Sequence, residues 1–151
     1  MSSSIQVRRR SSQLITGTVN FAAPHGLIIN YDPADIHNLV PANGTHGFAL
    51  TRETVTADAF QTSAAMGNHL AIIGGSVTAS KIQEAEIEGP DLLLTSGTGF
   101  IDNTTAIGTP LSTNKGRISV AQGGEETVGY LRAKLPVEDS ANRVRVLVQF
   151  I

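Results

Sequence analysis

The sequence predicts an all-β domain: a small β-barrel or β-sandwich of short antiparallel strands, with an extended N-terminal arm and at most one short helix. Three observations indicate this class. Glycine (15 residues) and threonine are abundant, and the apolar residues are largely valine, isoleucine, leucine and alanine. Apolar and turn-forming stretches alternate at short intervals, which is typical of many short strands. At 151 residues, the chain is most simply one domain with its own core.

The first twelve residues are predicted to be an arm, and the β-rich domain covers 13–151. The arm combines serines with Arg8, Arg9 and Arg10 and offers little to a core. Charged chain ends are commonly solvated tails. Three consecutive arginines can also dock on an acidic protein surface, and both interpretations stay open.

The first strand is predicted over 13–21, where Ile15, Val19 and Phe21 share one face. Shorter strands are expected at 26–31, 48–51, 69–75, 91–95 and 99–102, and 32–47 reads as a long turn-rich loop. The best helix candidate is 52–66, with Thr51 as a possible cap, although its threonines favour extended structure.

The segment 76–89 is ambiguous, but its carboxylates Glu84, Glu86 and Glu88 recur every second residue. This spacing places them on one face of a strand. With Asp91 they could hold calcium, yet the segment lacks a glycine-looped ligand pattern. A solvated or partner-facing strand is the preferred interpretation.

The C-terminal third gives the clearest pattern, with strands predicted at 116–121, 126–133 and 142–151. Gly123-Gly124 suits a hairpin turn between the first two of these strands. In the last strand, alternating valines and Phe150 predict one buried face. The opposite face carries Arg143, Arg145, Leu147, Gln149 and Ile151, and this mixture suggests partial coverage by another surface.

Composition excludes several functional classes. The formal net charge is −2 and the pI is about 6.0, so binding nucleic acid through bulk electrostatics is not expected. The chain has no cysteine, and no apolar run approaches the ~18 residues of a membrane-spanning helix. Charged residues are only 16% of the chain, below the ~25% that is typical, which suggests that part of the surface faces other protein.

Motifs for catalysis, cofactors or metals are missing. The four histidines show no metal-ligand spacing, and the glycine-rich turns lack the lysine of a phosphate-binding loop. We therefore predict no catalytic, cofactor-binding or metal residues and no enzymatic activity. The alternative is a β-barrel enzyme or ligand-binding domain that uses His37, His46 and a carboxylate. The low aromatic content of 5% weighs against it.

The last 45 residues or so resemble the end of the capsid cement, or head decoration, proteins of tailed bacteriophages. The shared layout is a G-x-x-L segment (108–111), a turn leading into a strand (116–118), a V-G-Y-L strand (128–131) and a closing V-R-V-L-V strand (144–148). The basic arm and the long loop are not part of this pattern.

The resemblance implies a structural virion protein without catalytic residues. Such a protein binds the outer surface of the capsid and cements the lattice of major capsid protein, commonly as a homotrimer, without direct contact to nucleic acid or membrane. Arg8, Arg9 and Arg10 are then the candidate capsid-docking residues. Arg143, Arg145, Leu147 and Ile151 are the candidate contacts between subunits. Another phage structural subunit, from the head-tail junction, tail or fibre, is the nearest alternative.

Overall fold

The computed structural model describes residues 3–50, 60–62, 69–71, 76–135 and 144–151. These residues form strands and no helix, which confirms the predicted all-β class. The strands are β1 (Ser4–Val19), β2 (Ile28–Asp32), β3 (Asp35–Pro41), β4 (Phe48–Ala49), β5 (Phe60–Thr62), β6 (His69–Ala71), β7 (Ser76–Glu88), β8 (Pro110–Asn114), β9 (Arg117–Val120), β10 (Gly129–Lys134) and β11 (Arg145–Phe150).

Five strands close into a ring. β1 pairs with β3, β3 with β2, β2 with β4, β4 with β7, and β7 returns to β1. The β1–β3 pairing is parallel, whereas the other four pairings are antiparallel. Ring closure removes strand edges that would otherwise be exposed, and the arrangement corresponds to the barrel form of the predicted fold.

The other strands of the large sheet extend from β7 in the order β11, β10, β8, β9. The far edge of β9 is bonded to a loop. Leu94 N–H donates to the carbonyl of Ile118 at 2.9 Å, and Val120 N–H donates to the carbonyl of Gly99 at 2.8 Å. The outer strand therefore has backbone partners on both sides. β5 and β6 form a separate two-stranded sheet.

β7 is the 13-residue strand that connects the ring to this extension. Its side chains alternate between buried and less buried positions near each end, with Val77 and Ala79 buried first and Ala85 and Ile87 buried later. The alternation shifts around Ile82, where the β1–β7 register is also irregular. The ambiguous segment 76–89 is thus mostly a strand, β7, whose alternation is interrupted in its middle part.

The core is aliphatic and continuous between the ring and the extension. Its largest fully buried side chains, each less than 2% exposed, are Ile29, Leu39, Leu50, Ile87, Leu92, Leu93, Ile101, Leu111, Ile118, Leu131, Val19 and Val77. The predicted buried face of the last strand is confirmed, because Val146 and Val148 are 0% exposed and Val144 and Phe150 pack against the core.

The predicted pairing at the C-terminal end is wrong in one respect. β9 and β10 do not form a hairpin, because β8 lies between them and pairs with both. The hairpin is β8–β9, and it turns at Lys115 and Gly116, which have φ angles of +50° and +86°. Positive φ at both central positions is the geometry of a tight hairpin turn that follows the twist of the strands.

Three other predicted segments differ from the structure. The expected loop 32–47 contains β3, which pairs with β2 after a turn at 33–34. The expected strands at 91–95 and 99–102 are a loop that bonds to β9. Most of the helix candidate 52–66 lies outside the described residues, and its described part, 60–62, is strand β5.

The predicted first strand begins too late. β1 starts at Ser4, so the boundary drawn after residue 12 falls inside a strand. Residues 4–10 lie opposite 82–88 of β7, and Ile5 and Val7 pack against the core. The expectation that the first twelve residues form an arm that offers little to a core is therefore wrong for residues 4–10. The strand was not predicted because its alternating pattern contains only two apolar side chains, Ile5 and Val7, among polar ones.

Candidate interaction surface

The arginines of the N-terminal segment meet the carboxylates of β7. Arg8 Nη2 lies 2.9 Å from Glu86 Oε2, and Arg9 Nη2 lies 3.5 Å from Glu84 Oε2. From the other side, Arg145 lies 3.1 Å from Glu86 and 3.5 Å from Glu88. We call these six residues (Arg8, Arg9, Glu84, Glu86, Glu88 and Arg145) the ion-pair ladder. It crosses the outer face of β1, β7 and β11.

Glu86 is the centre of the ladder. Burial opposes ionisation of its carboxyl group, but hydrogen bonds from Arg8 and Arg145 and their positive charges outweigh this effect and lower the pKa of Glu86. Its side chain is only 12% exposed. The carboxylate is therefore held ionised between two guanidinium groups, which ties the N-terminal and C-terminal strands to the same position on β7.

The sequence predicted that Glu84, Glu86 and Glu88 share a face of a strand, and the structure confirms this. The structure also shows their partners, which the sequence did not predict. These partners lie on strands that are distant along the chain: Arg145 of β11, for example, donates a hydrogen bond to Glu88 from 57 residues away. Of the three candidate docking arginines, Arg8 and Arg9 have carboxylate partners. Arg10 is exposed and forms no ion pair within the described part of the chain.

The second face of β11 is mixed, as predicted. Arg145 belongs to the ladder, Leu147 is half-buried, and Ile151 is 58% exposed. Arg143, the remaining candidate contact residue, lies outside the described residues. The face therefore changes from charged to apolar toward the end of the chain.

Beside Ile151 lies an apolar groove of about 420 Å³, which we call the C-terminal groove. Two further exposed apolar side chains flank it: Ile107 is 64% exposed and Tyr130 is 42% exposed. The groove is lined by Ile107, Gly108, Tyr130, Leu131, Arg132, Gln149, Phe150 and Ile151. Exposed apolar side chains clustered around a concavity are typical of a protein-binding surface.

A second, more polar groove of about 410 Å³ lies on the other side of Gln149, Phe150 and Ile151. Arg9 and Lys81 contribute positive charge to it, together with the polar side chains of Ser11, Gln13 and Gln83. Since both grooves share the last three residues, they form one surface that is apolar on one flank and basic on the other. We call this combined surface the docking face.

Sequence reasoning did not find Ile107 and Tyr130. A signal existed for Tyr130, because Gly129 and Leu131 on either side of it are buried and alternation in β10 turns its side chain outward. Ile107 had no such signal, since it lies in a loop between Ile101 and β8 that has no regular period.

The histidines proposed for an alternative site have separate partners. The Nδ1 atom of His46 lies against Glu126 Oε1. Burial, and then the charge of Lys81, lower the pKa of His46 from its ordinary value of 6.5. His37 is exposed, and its backbone N–H donates to Asp35 Oδ1 at 3.0 Å. The contacts within the described ranges do not join the two histidines.

Comparison with known proteins leaves the fold and the surface as the guides to function. Searches against protein-family models and curated proteins found no match to this chain. Within the described ranges, no three His, Asp or Glu side chains are grouped so that they could hold a metal ion. Those residues also include no helix that is long and apolar enough to cross a membrane. The described structure does show a surface on which an exposed apolar groove lies beside a more polar one.

Proposed function

We propose that the protein is a structural virion subunit of a tailed bacteriophage that binds the outer surface of the capsid and cements the lattice of major capsid protein as a homotrimer. The observation that carries this proposal is the C-terminal groove. Its lining comes almost wholly from 108–151, the part of the sequence that resembles the cement proteins, and it exposes apolar side chains at a strand end.

The charges of the docking face support a protein partner. The positive charge of Arg8 is paired with Glu84 and Glu86, and that of Arg9 is paired with Glu84. Lys81 adds positive charge to the polar groove and forms no ion pair in the described structure. A partner surface with apolar side chains at its centre and carboxylates at one side complements this arrangement. Such complementarity sets orientation and rate of encounter more than affinity.

A cement protein stabilises a shell by mass action. It binds the assembled lattice and not the separated capsid subunits, so its binding free energy adds to the stability of the shell. Each copy needs only modest affinity, because many copies act on one lattice and subunits joined in a trimer bind with higher avidity. A small barrel with an exposed binding surface suits this role.

The direct test is co-sedimentation of the purified protein with mature, empty shells of the phage that encodes it. We expect the wild-type chain and Ile36→Asp to sediment with shells, since Ile36 is 67% exposed and lies outside both grooves. Ile107→Asp should lose at least tenfold in affinity, because it places a charge beside the C-terminal groove. The molar mass of the free protein tests the trimer.

Two outcomes contradict the proposal in different ways. If the wild-type protein does not sediment with shells, the cement function is wrong, and binding to purified tails instead would favour a tail subunit. If Ile107→Asp binds shells as well as Ile36→Asp does, the C-terminal groove is not the contact surface.

A further inference from the structure

The first half of β1 is attached to the rest of the protein along one edge only. Residues 4–10 pair with 82–88 of β7, from Ser4↔Glu88 to Arg10↔Ile82, with register shifts between Val7 and Arg9 and between Arg9 and Arg10. β3, the other neighbour of β1, reaches only Thr18 and Val19. Within the described residues, no strand covers the outer edge of 4–10. This segment therefore has a strand partner on one backbone edge only, among the described residues.

An irregular stretch separates this half of β1 from the half that follows. Arg10 lies opposite Ile82 and Leu14 lies opposite Ser80, so three residues of β1 face one residue of β7. Ser12 and Gln13 in this stretch are exposed. Regular pairing resumes from Leu14 to Thr18. A bulge of small and polar residues is a place where the chain can change direction without disturbing the strand beyond it.

The segment packs into a surface formed by 82–88 of β7 together with Gly26, Gly89 and Asp91, which we call the socket. The side chain of Ile5 lies against Gly26, where an added Cβ atom would lie only 2.8 Å from Ile5 Cγ2 and 3.0 Å from Leu92 Cδ1. Ser3 packs against Gly89, which has a φ of +99°. The backbone N–H of Asp91 donates to Ser3 Oγ at 2.9 Å. Two glycines thus make room for two side chains of the segment.

Charge complementarity adds to this fit. Arg8 and Arg9 of the segment meet Glu84 and Glu86 of the socket strand. Backbone pairing, packing and ion pairs join residues 3–10 to β7, to the loop that follows β7 and to Gly26. None of these contacts depends on whether the segment belongs to the same chain as the socket, because the segment continues into the second half of β1 through the irregular stretch 11–13.

We propose that residues 3–10 are a donor strand that also occupies the socket of a second copy of this chain. Exchange replaces each contact by an identical one, so its equilibrium depends on the conformation of 11–13 and on the concentration of neighbouring copies. A tethered segment competes with an effective concentration of about millimolar. Exchange should therefore increase as the protein approaches that concentration. The exchange itself stands without the proposed function, but its role in linking neighbours on a shell rests on that function.

The absence of cysteine makes a clean cross-linking test possible. Val7 and Ala85 are register partners in the first half of β1. Directly opposed residues of an antiparallel pair are ~4.5–5.5 Å apart at Cα, within the range of a disulfide. One chain carries Val7→Cys, and a second chain with a mass tag carries Ala85→Cys. The two are mixed, oxidised and separated on a denaturing gel.

The matched control uses the second half of the same strand. Thr16 and Thr78 have hydroxyl oxygens 3.1 Å apart and lie beyond the irregular stretch, so they should stay in one chain. Chains with Thr16→Cys and Thr78→Cys are mixed in the same way. The double variant Val7→Cys/Ala85→Cys at micromolar concentration should form a link within one chain, which checks that the two cysteines can be oxidised together.

We expect the mixed Val7→Cys and Ala85→Cys chains to form a cross-linked heterodimer whose yield rises several-fold between micromolar and millimolar protein. The Thr16→Cys and Thr78→Cys mixture should stay at background. Equal yields from the two mixtures at every concentration overturn the proposal. Failure of the double variant to form its internal link also overturns it, because the socket register is then wrong. No shells are present, so this result is independent of the co-sedimentation test.

Discussion

Truncation of Ile5 tests whether the N-terminal segment is part of the fold. Ile5 is partly buried, it packs against the core, and its side chain lies against Gly26. Ile5→Ala removes these contacts and leaves the ion-pair ladder unchanged. A solvated arm would tolerate the substitution, whereas a docked strand loses stability.

The expected magnitude follows from the area removed from water. Isoleucine to alanine deletes three carbon atoms, each contributing about 0.8 kcal/mol when fully buried. At a half-buried position the loss of unfolding free energy is then about 1 kcal/mol. Ile15→Ala, in the second half of the same strand and only 5% exposed, should cost about 2–5 kcal/mol because it also leaves a cavity.

Urea denaturation of the wild type and three variants measures these differences. The third variant, Ile36→Ala, is the control, since Ile36 is 67% exposed and should change stability by no more than about 0.5 kcal/mol. With a slope of ~1–3 kcal/mol per molar urea, the Ile5→Ala midpoint should fall by about 0.3–1 M. If Ile5→Ala matches Ile36→Ala, the segment is not docked in solution, and the socket described above is wrong.

Two further predictions concern β11 and the ion-pair ladder. Val146→Asp should abolish folding, because Val146 is 0% exposed and a buried unpaired carboxylate costs several kcal/mol. Leu147→Asp, on the half-buried face of the same strand, should fold with reduced stability. Native circular dichroism for Val146→Asp would contradict the face assignment. Glu86→Gln tests the ladder. The pKa of Glu86 is lowered in the folded state. The ionised carboxylate therefore contributes to the free energy of unfolding above pH 4.5, the ordinary pKa, and this contribution disappears as the pH falls through the lower pKa of the folded state. The stability difference between wild type and Glu86→Gln should thus shrink on acidification, and a difference that does not change with pH would refute the assigned cause.

Local patterns in the sequence predicted the strands that carry strong alternation. The valines of β11 have a period of two, and both the strand and its buried face were predicted correctly. The carboxylates of β7 were likewise placed on one face. Such patterns report the environment of a side chain directly, because alternate residues of a strand point to opposite faces.

Pairing between strands was not predictable in the same way. Gly123-Gly124 suggested a hairpin, but the tight turn forms at Lys115 and Gly116 and inserts β8 between the expected neighbours. A Lys-Gly pair is a weaker turn signal than Asn-Gly. β8 itself begins with Pro110, a residue that normally marks the end of regular pairing. The sequence therefore did not distinguish between two possible turns.

The contacts of Arg8 and Arg9 depend on distant parts of the chain. Three arginines among serines have the composition of a solvated tail, and the carboxylates that pair with Arg8 and Arg9 lie on β7, more than 70 residues further along the chain. Neither segment alone reveals the other. For the docking face the difficulty is similar, because Ile107 and Ile151 become neighbours only when β10 and β11 are paired.

Closure of the ring by β1 and β7 also constrains the order in which this chain can fold. Ser4 finds its partner at Glu88, so the first strand emerges from the ribosome long before the strand that completes its pairing. Proteins whose contacts are mostly between distant residues fold slowly, in about milliseconds to seconds, because the entropy cost of closing the loop precedes the stabilising contacts. During this interval the nascent N-terminal strand is unpaired with β7. The two strands of one chain can therefore pair only after residue 88 has been made.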